Sequence, residues 1–421
     1  MKHRLRFLTA LMGFFCVLAL SVSVDAKTQA AETPNIYAKS AIAVDAQTGQ
    51  ILYQKNANEP RAIASISKLM TVYIVHQRIK QNKLAWGDKV KISAELAKLS
   101  TASGLTNVPL TAGRSYSVRQ LVNATLVESA NAAALALGQK IAGTPAKFAA
   151  LMNKTARSIG IHDGKFYNAS GLTNKLTGKL ALKNVSGNAE NLLSASDVAL
   201  LAKNILKKFP RITNITRQTT ANFYGTRMTG HNQLIDDHSI ANGVRVDGLK
   251  TGTSDKAGAS FVGSATENGK HRIITVVLGA RNKSASDPAR FIQTAKLMRW
   301  VYTTQRPIKL AAGSTISGVG KAQIPDGKQT TTLPVTKSNQ WVWASKGTRA
   351  SQISGKYVNK PAKLASPTKK GTLVGNAHLS IGGKRLQYIG HSAGKFVMVT
   401  DKSVKKANLF VRLWRAILRL F

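Results

Sequence analysis

The stretch ASISKLMTVYIV, residues 64–75, decides how the rest of the chain is read. Ile66, Leu69, Met70, Ile74 and Val75 recur at helical spacing, which predicts a helix packed into a core. Lys68 falls in the first turn of that helix, one turn after Ser65. A buried lysine is costly unless it is paired or gives up its proton. A Ser-x-x-Lys pair places a hydroxyl and an amine on one helical face. In apolar surroundings the lysine's pKa falls and the neutral amine can accept the serine proton. Ser65 is therefore a candidate nucleophile and Lys68 its base, and the helix N-terminus favours negative charge developing at Ser65.

The pair alone is weak, because it occurs four times, beginning at Ser65, Ser366, Ser392 and Ser403. Only Ser65 begins a strongly apolar helix; the other three read as cap or turn serines near surface lysines. Two further motifs give the first its weight. ESANAAALAL contains Ser129-Ala-Asn131 between two helical runs, where side chains can point into a cleft. VDGLKTGTSDKAGAS contains Lys250-Thr251-Gly252 followed by Thr253, where a strand could line that cleft. Ser-x-Asn recurs at Ser186–Asn188 in a loop region, and Lys-Thr-Gly occurs once. Ser65, Ser129, Lys250 is the only complete ordered set, since the other Ser-x-x-Lys pairs all follow Lys250.

The 421 residues are enough for two domains, and 43% hydrophobic residues can build a full-sized core. Sixty-one Lys and Arg against 18 Asp and Glu give a net charge of +43, which predicts attraction to polyanions. The N-terminus selects among these. MKHRLRF is basic, LTALMGFFCVLALSVSV is an apolar run of signal-peptide length, and VDA at 24–26 suits a signal-peptidase cut. Residues 1–26 are read as an export signal, the competing reading being a retained membrane anchor. Export disfavours nucleic acid and leaves anionic membrane and wall polymers as partners. Cys16, the only cysteine, lies in the apolar run, so the mature chain would have no disulfide, cysteine nucleophile or cysteine metal site. The eight histidines show no metal-ligand spacing, so no metal is expected.

Residues 27–35 read as a loose leader. KSAIAVDAQTGQILYQKNA alternates around a Gly-containing turn, as a hairpin does. After the Ser65 helix come helical stretches near 117–142 and 144–159, a Gly/Asn/Lys-rich loop over 171–189, and a helix in SASDVALLAKNILKKF capped by Ser194 or Ser196. HRIITVVLGAR reads as a buried central strand, and DPARFIQTAKLMRWVY as a helix with Pro288 in its first turn. From Arg306 to Thr400 short alternating runs such as NQWVWAS and KFVMVTD predict a β-rich domain, with 15 Lys and Arg and one acid, Asp326. In residues 401–421, Lys405, Asn408, Arg412, Arg415 and Arg419 share one helical face. Leu409, Phe410, Leu413, Trp414, Ile417, Leu420 and Phe421 cover the other. That helix suits a membrane interface; the competing reading docks it on the protein's own core.

With all three motifs in order, the chain resembles the penicillin-binding proteins and serine β-lactamases, and most closely the low-molecular-mass D-alanyl-D-alanine carboxypeptidases. AIAVDAQTGQILYQKNANEPRAIASISKLMT, VDGLKTGTSDKAG and VLGAR carry the resemblance over about residues 36–305. It implies an α/β transpeptidase-like domain, an antiparallel sheet with helices, then the β-rich domain as a pedestal at 306–400 and the amphipathic helix at 401–421. It implies no cofactor, a peptidoglycan stem peptide as substrate and β-lactams as covalent inhibitors. By the resemblance Ser65 attacks the carbonyl between two D-alanines, Lys68 is the base, Ser129 relays a proton to the leaving D-alanine, and Asn131 holds a substrate amide. Lys250, Thr251 and Arg281 would meet the terminal carboxylate beside Gly252, and the N–H groups of Ser65 and Thr253 would form the oxyanion hole.

Two rivals remain at this level. A class A β-lactamase would carry Ser-Asp-Asn where this chain has Ser129-Ala-Asn131, and a deacylating Glu in a Glu-x-x-Leu-Asn loop. ENLLS at 190–194 comes near, but Ser194 replaces the Asn and Glu190 lies 59 residues after Asn131, so Glu190 is expected to be an ordinary surface acid. The other rival is a non-catalytic cationic wall- or membrane-binding protein.

Overall fold

The computed structural model describes residues 32–235, 237–281, 287–359, 361, 363–390 and 394–418. The expected export signal, the first residues of the leader, Ser392 and residues 419–421 of the terminal helix lie outside the described residues.

A five-stranded antiparallel sheet organises residues 38–304. Its strands are β1 (Ala38–Asp45), β2 (Ile51–Lys55), β3 (Val244–Ser254), β4 (Gly258–Glu267) and β5 (Lys270–Ala280), in the spatial order β2-β1-β5-β4-β3. The expected hairpin is the β1–β2 pair, with Ala43 opposite Tyr53. The expected central strand is β5, where Val276 faces Ile42 of β1 on one side and Val262 of β4 on the other. Its unbroken apolar run follows from that position, because both faces of the sheet are covered. Ile274, Val276 and Leu278 enter one core, and Ile273 and Val277 enter a second.

The first core is closed by helices α1 (Lys68–Lys80), α2 (Ala94–Ser100), α3 (Val118–Leu126), α4 (Asn131–Ala142), α5 (Pro145–Ser158) and α6 (Ala195–Lys208). The second is closed by α7 (Ala289–Thr304), through Phe291, Leu297, Met298 and Val301. Local chemistry sets the helix starts. Ser117 and Gln120 form a capping box on α3, Thr144 caps α5 with Pro145 in its first turn, and Ser194 caps α6 together with Asp197. Of the two candidate caps for α6, Ser194 is the one used.

Beyond α7 the chain is β-rich. Strands β6 (Gln305–Leu310) and β8 (Gln340–Ser345) pair with each other, and β7 (Pro334–Thr336), β11 (Phe396–Thr400), β10 (Leu373–Ile381) and β9 (Ile353–Tyr357) lie side by side in that order. Leu310, Val342, Ile353, Leu379, Phe396 and Met398 form a separate core. The region is tied back to the first sheet by Trp343. Its backbone exchanges two hydrogen bonds with the Gln50 side chain, and its indole N–H donates to Asp45 at 3.1 Å.

A last helix, α8 (Leu409–Ile417), is capped by Asn408 and has no buried residue; Phe410 is 82% exposed and Trp414 63%. The docked reading of this helix therefore does not hold for its apolar face. Among the described residues no helix is long and apolar enough to cross a membrane.

Candidate active site

Ser65 lies in a tight 3-10 turn, Ala64–Ser67, that runs directly into α1. Ala64 adopts a positive φ of 44°, a region disfavoured for a residue with a Cβ, and Ser67 Oγ donates to the Ala64 carbonyl at 2.6 Å to brace the turn. Lys68 is the first residue of α1 and is fully buried. Its Nζ lies 2.7 Å from Ser65 Oγ, 2.8 Å from Asn131 Oδ1 and 2.9 Å from the Ser170 carbonyl oxygen. The two carbonyl oxygens can only accept, so a neutral amine gives them its two N–H groups and turns its lone pair to the Ser65 hydroxyl. The electrostatics agree: burial, and then the nearby charge of Lys250, hold the Lys68 pKa well below the ordinary lysine value.

Asn131 opens α4, and its amide group is fixed at both ends, Oδ1 on Lys68 and Nδ2 on the Thr106 carbonyl at 2.9 Å. Ser129 sits in the break between α3 and α4 with a φ of 66° and is nearly buried. The break turns Ser129-Ala-Asn131 out of the helical path that the flanking runs would otherwise continue.

The third motif lies on β3, where Lys250 pairs with Val262, Thr251 with Phe261, Gly252 with Ser260 and Thr253 with Ala259. Gly252 explains why this strand must carry glycine. A Cβ there would lie 2.5 Å from the Ile63 carbonyl oxygen and 3.2 Å from Ile66, so β3 packs directly against the turn that carries Ser65. The opposite side of the turn is as close, since a Cβ on Gly171 would lie 1.9 Å from the Ala64 carbonyl oxygen. The structure thus brings the Ser65, Asn131 and Lys250 segments around one turn.

Lys250 is 3% exposed, and its pKa falls to about 7 through burial and the charge of Arg290, partly offset by Glu128. Its Nζ lies 3.2 Å from the Thr251 carbonyl oxygen and 3.4 Å from Thr251 Oγ1. His231 contacts the Glu128 backbone oxygen at 3.0 Å, and its pKa is lowered by burial and by the charges of Lys250 and Lys68. The cleft therefore holds two buried amines, Lys68 and Lys250, whose mutual repulsion favours a neutral Lys68 while a protonated Lys250 favours an anionic ligand.

Arg281 follows the end of β5 and is exposed, level in the sheet with Thr253, because Ala280 pairs with Ala259 and Ala259 with Thr253. A guanidinium that sequence reasoning did not single out touches the motif itself. Arg290, 3% exposed, donates through Nη1 to the Gly252 carbonyl at 3.1 Å and to Thr253 Oγ1 at 2.7 Å. A signal for it was present: Arg290 shares the apolar stripe of α7 with Thr294, Leu297 and Val301, out of place as Lys68 is in α1.

One expectation is overturned. Glu190 is not a surface acid but 4% exposed, and its Oε2 accepts the Ser254 hydroxyl at 2.7 Å. Ser254 Oγ in turn accepts the Ala257 N–H at 3.0 Å, so Glu190 anchors the turn between β3 and β4. The chain before α6 folds back onto the end of β3, and a reading of local sequence alone could not see that return.

Comparison with known proteins agrees with this geometry. Residues 27–282 match the Peptidase S11 family, D-alanyl-D-alanine carboxypeptidase. The chain belongs to that family. This serine-type D-alanyl-D-alanine carboxypeptidase is 28% identical to the carboxypeptidase DacC of Escherichia coli (strain K12), over 94% of this chain and 91% of that protein. The crystal structure of a peptidoglycan synthesis regulatory factor (PBP3) from Streptococcus pneumoniae is similar at 37% identity and a TM-score of 0.71. That likeness covers 88% of this chain and 100% of that one. Penicillin-binding protein D2 of Listeria monocytogenes, solved in its ampicillin-bound form, is 32% identical with a TM-score of 0.52, over 63% of the carboxypeptidase and 98% of that chain. The β-lactamase reading of the three motifs and the non-catalytic reading are both disfavoured by this membership. The expected α/β architecture with a β-rich region after it is the one found.

Proposed function

We propose that the carboxypeptidase removes the terminal D-alanine of peptidoglycan stem pentapeptides through an acyl-enzyme on Ser65. The observation that carries this is the buried Lys68 amine 2.7 Å from Ser65 Oγ, with its pKa well below the lysine range. Neutral Lys68 takes the Ser65 proton as Oγ attacks the carbonyl carbon of the penultimate D-alanine. The N–H groups of Ser65 and Thr253 stabilise the oxyanion, and Ser129 passes a proton to the departing amine as the C–N bond breaks. Lys250 and Thr251 receive the terminal carboxylate beside Gly252, and Arg281 contributes positive charge at that end. Asn131 orients Lys68 and the substrate amide. Water then cleaves the ester and releases the shortened peptide.

β-Lactams would acylate Ser65 by the same attack. Incubation with benzylpenicillin should give a stable mass adduct on the wild type and none on Ser65→Ala; rapid turnover of the drug, or no adduct at all, would refute the assignment.

The chain is proposed to be exported by residues 1–26 and to work beside the outer face of the membrane. The domain limits proposed are 36–305 for catalysis, 306–400 for a β-rich pedestal and 401–421 for an interfacial anchor. Support comes from α8, whose Leu409, Phe410, Leu413, Trp414 and Ile417 are all exposed, beside a basic face. The net charge of +43 suits anionic lipid and wall polymers as partners.

A further inference from the structure

A cavity of about 380 Å³ opens between α2 and the turn Asn174–Leu180, within the size range of ligand sites. Leu99, Ala102, Leu105 and Leu176 give it an apolar lining, and Glu95, Lys98 and Lys179 stand around it. Both of its walls lead directly to the catalytic groups. Leu105 precedes Thr106, whose carbonyl accepts the backbone N–H of Asn131 at 3.0 Å and its Nδ2 at 2.9 Å. The other wall begins four residues after Ser170, whose carbonyl accepts from Lys68. No residue of β3 lines the cavity, so it lies away from the strand that carries Lys250.

Leu176 is 45% exposed, an apolar side chain held open at the edge of this space. Gly178, with φ 62° and ψ −129°, shapes the turn in a conformation that a residue with a side chain would find strained. The charges are unequal. Glu95 already accepts from its own backbone N–H and from Ser93, and Lys179 adds to the field that holds its pKa down. Lys98 and Lys179 are exposed ammonium groups, so the cavity presents an apolar floor under a net positive rim.

We propose that this cavity is a subsite for a carboxylate-bearing residue of the stem peptide upstream of the scissile D-alanine pair. The inference rests on the proposed carboxypeptidase reaction and extends it to substrate choice. With the terminal carboxylate at Lys250, the acyl part of the substrate runs the other way, past Asn131 and Thr106, and the cavity is the next space it meets. The aliphatic part of the upstream residue covers Leu105 and Leu176, and its carboxylate meets Lys98 and Lys179. Two parts of a stem peptide could supply that group, a side-chain carboxylate on residue three or the free α-carboxylate of a γ-linked D-glutamate at residue two.

The test measures D-alanine release by the full chain from Nα-acetyl-X-D-Ala-D-Ala. X is L-2-aminopimelate, L-lysine or L-norleucine, three side chains of similar reach that end in a carboxylate, an ammonium or a methyl group. A second pair of peptides carries γ-D-glutamate or D-isoglutamine before norleucine. A carboxylate should raise kcat/KM by about fivefold over its neutral counterpart, mainly through KM, in the series that supplies the group. The series that responds identifies the source. In the double variant Lys98→Gln/Lys179→Gln that ratio should collapse towards one, whereas Lys147→Gln, an exposed lysine on α5, should leave it unchanged. Because the readout is a ratio within one protein, a general loss of activity cancels. D-Alanine release at equal rates from all peptides, or a preference for lysine, would overturn the subsite and leave the reaction standing. No release from any peptide, with no penicillin adduct on Ser65, would overturn both.

Discussion

The catalytic cleft and the terminal helix use the same residue types in opposite ways. In the cleft Lys68, Lys250 and Arg290 are buried, each 3% exposed or less, inside an apolar frame. On α8 Arg412 and Arg415 are half-buried, Arg415 donating to the Gly327 carbonyl at 2.7 Å, and the apolar side chains are the ones left uncovered. Burial of a cation is unfavourable for folding, and so is exposure of Phe410 and Trp414. Each region keeps a feature that stability alone would remove, and the kind of feature points to its use. The proposed uses follow from these features: a buried amine with a lowered pKa is suited to act as a base, and an exposed aromatic face with a basic edge is suited to meet lipid.

The sharpest way to break this comparison is at Lys68. Replacing it with methionine keeps the bulk and removes the base, and should lower both penicillin acylation and D-alanine release by about 10²–10⁴-fold. If stopped-flow acylation stayed near the wild-type rate, the buried amine would not be the base.

Lys250 comes next. Lys250→Gln removes a charged partner of the substrate carboxylate and should reduce kcat/KM by about 10–100-fold, chiefly through KM. The wild-type pH profile carries the same information. In the proposed mechanism Lys250 binds the carboxylate when protonated, so KM should rise as pH climbs through its pKa of about 7. Lys68 acts when neutral, so acylation should weaken as pH falls through its lowered pKa. The expected profile of kcat/KM is a bell whose alkaline limb moves in Lys250 variants.

On the helix the expected change is smaller and of another kind. Phe410→Glu with Trp414→Glu should reduce binding to vesicles rich in anionic lipid by about tenfold, with the rate of D-alanine release on a soluble peptide as the control. Equal vesicle binding by this variant would show that the body of the protein, with its high positive charge, holds it at the surface. The smallest effect is expected at Glu190→Gln, which keeps an acceptor for Ser254 but loses its charge. It should cost about 0.5–1.5 kcal/mol of stability by denaturant titration, and lower activity a few-fold. A large rise in penicillin hydrolysis in the wild type, lost in this variant, would instead make Glu190 a deacylating base.

Much of the site was legible because its signals are local in sequence. Lys68 stood out against helical periodicity, Asn131 began a second apolar helix, and Lys250-Thr251-Gly252 lay on a strand. Those patterns, their order, the hairpin, the central strand and the β-rich region after Arg306 were all determined by spacing and composition. What only the tertiary structure decided concerns partners distant in the chain. Ser170 lies 102 residues from the lysine that donates to it, Arg290 lies 38 from Gly252, and Glu190 lies 64 from Ser254. The reason is physical: periodicity tells which face of an element is buried, but not which atoms it will be buried against. For apolar side chains that ignorance matters little, since any close-packed neighbour serves. For Lys68 the neighbours set charge state, for Arg290 and Glu190 they set role, and the fold alone supplies them.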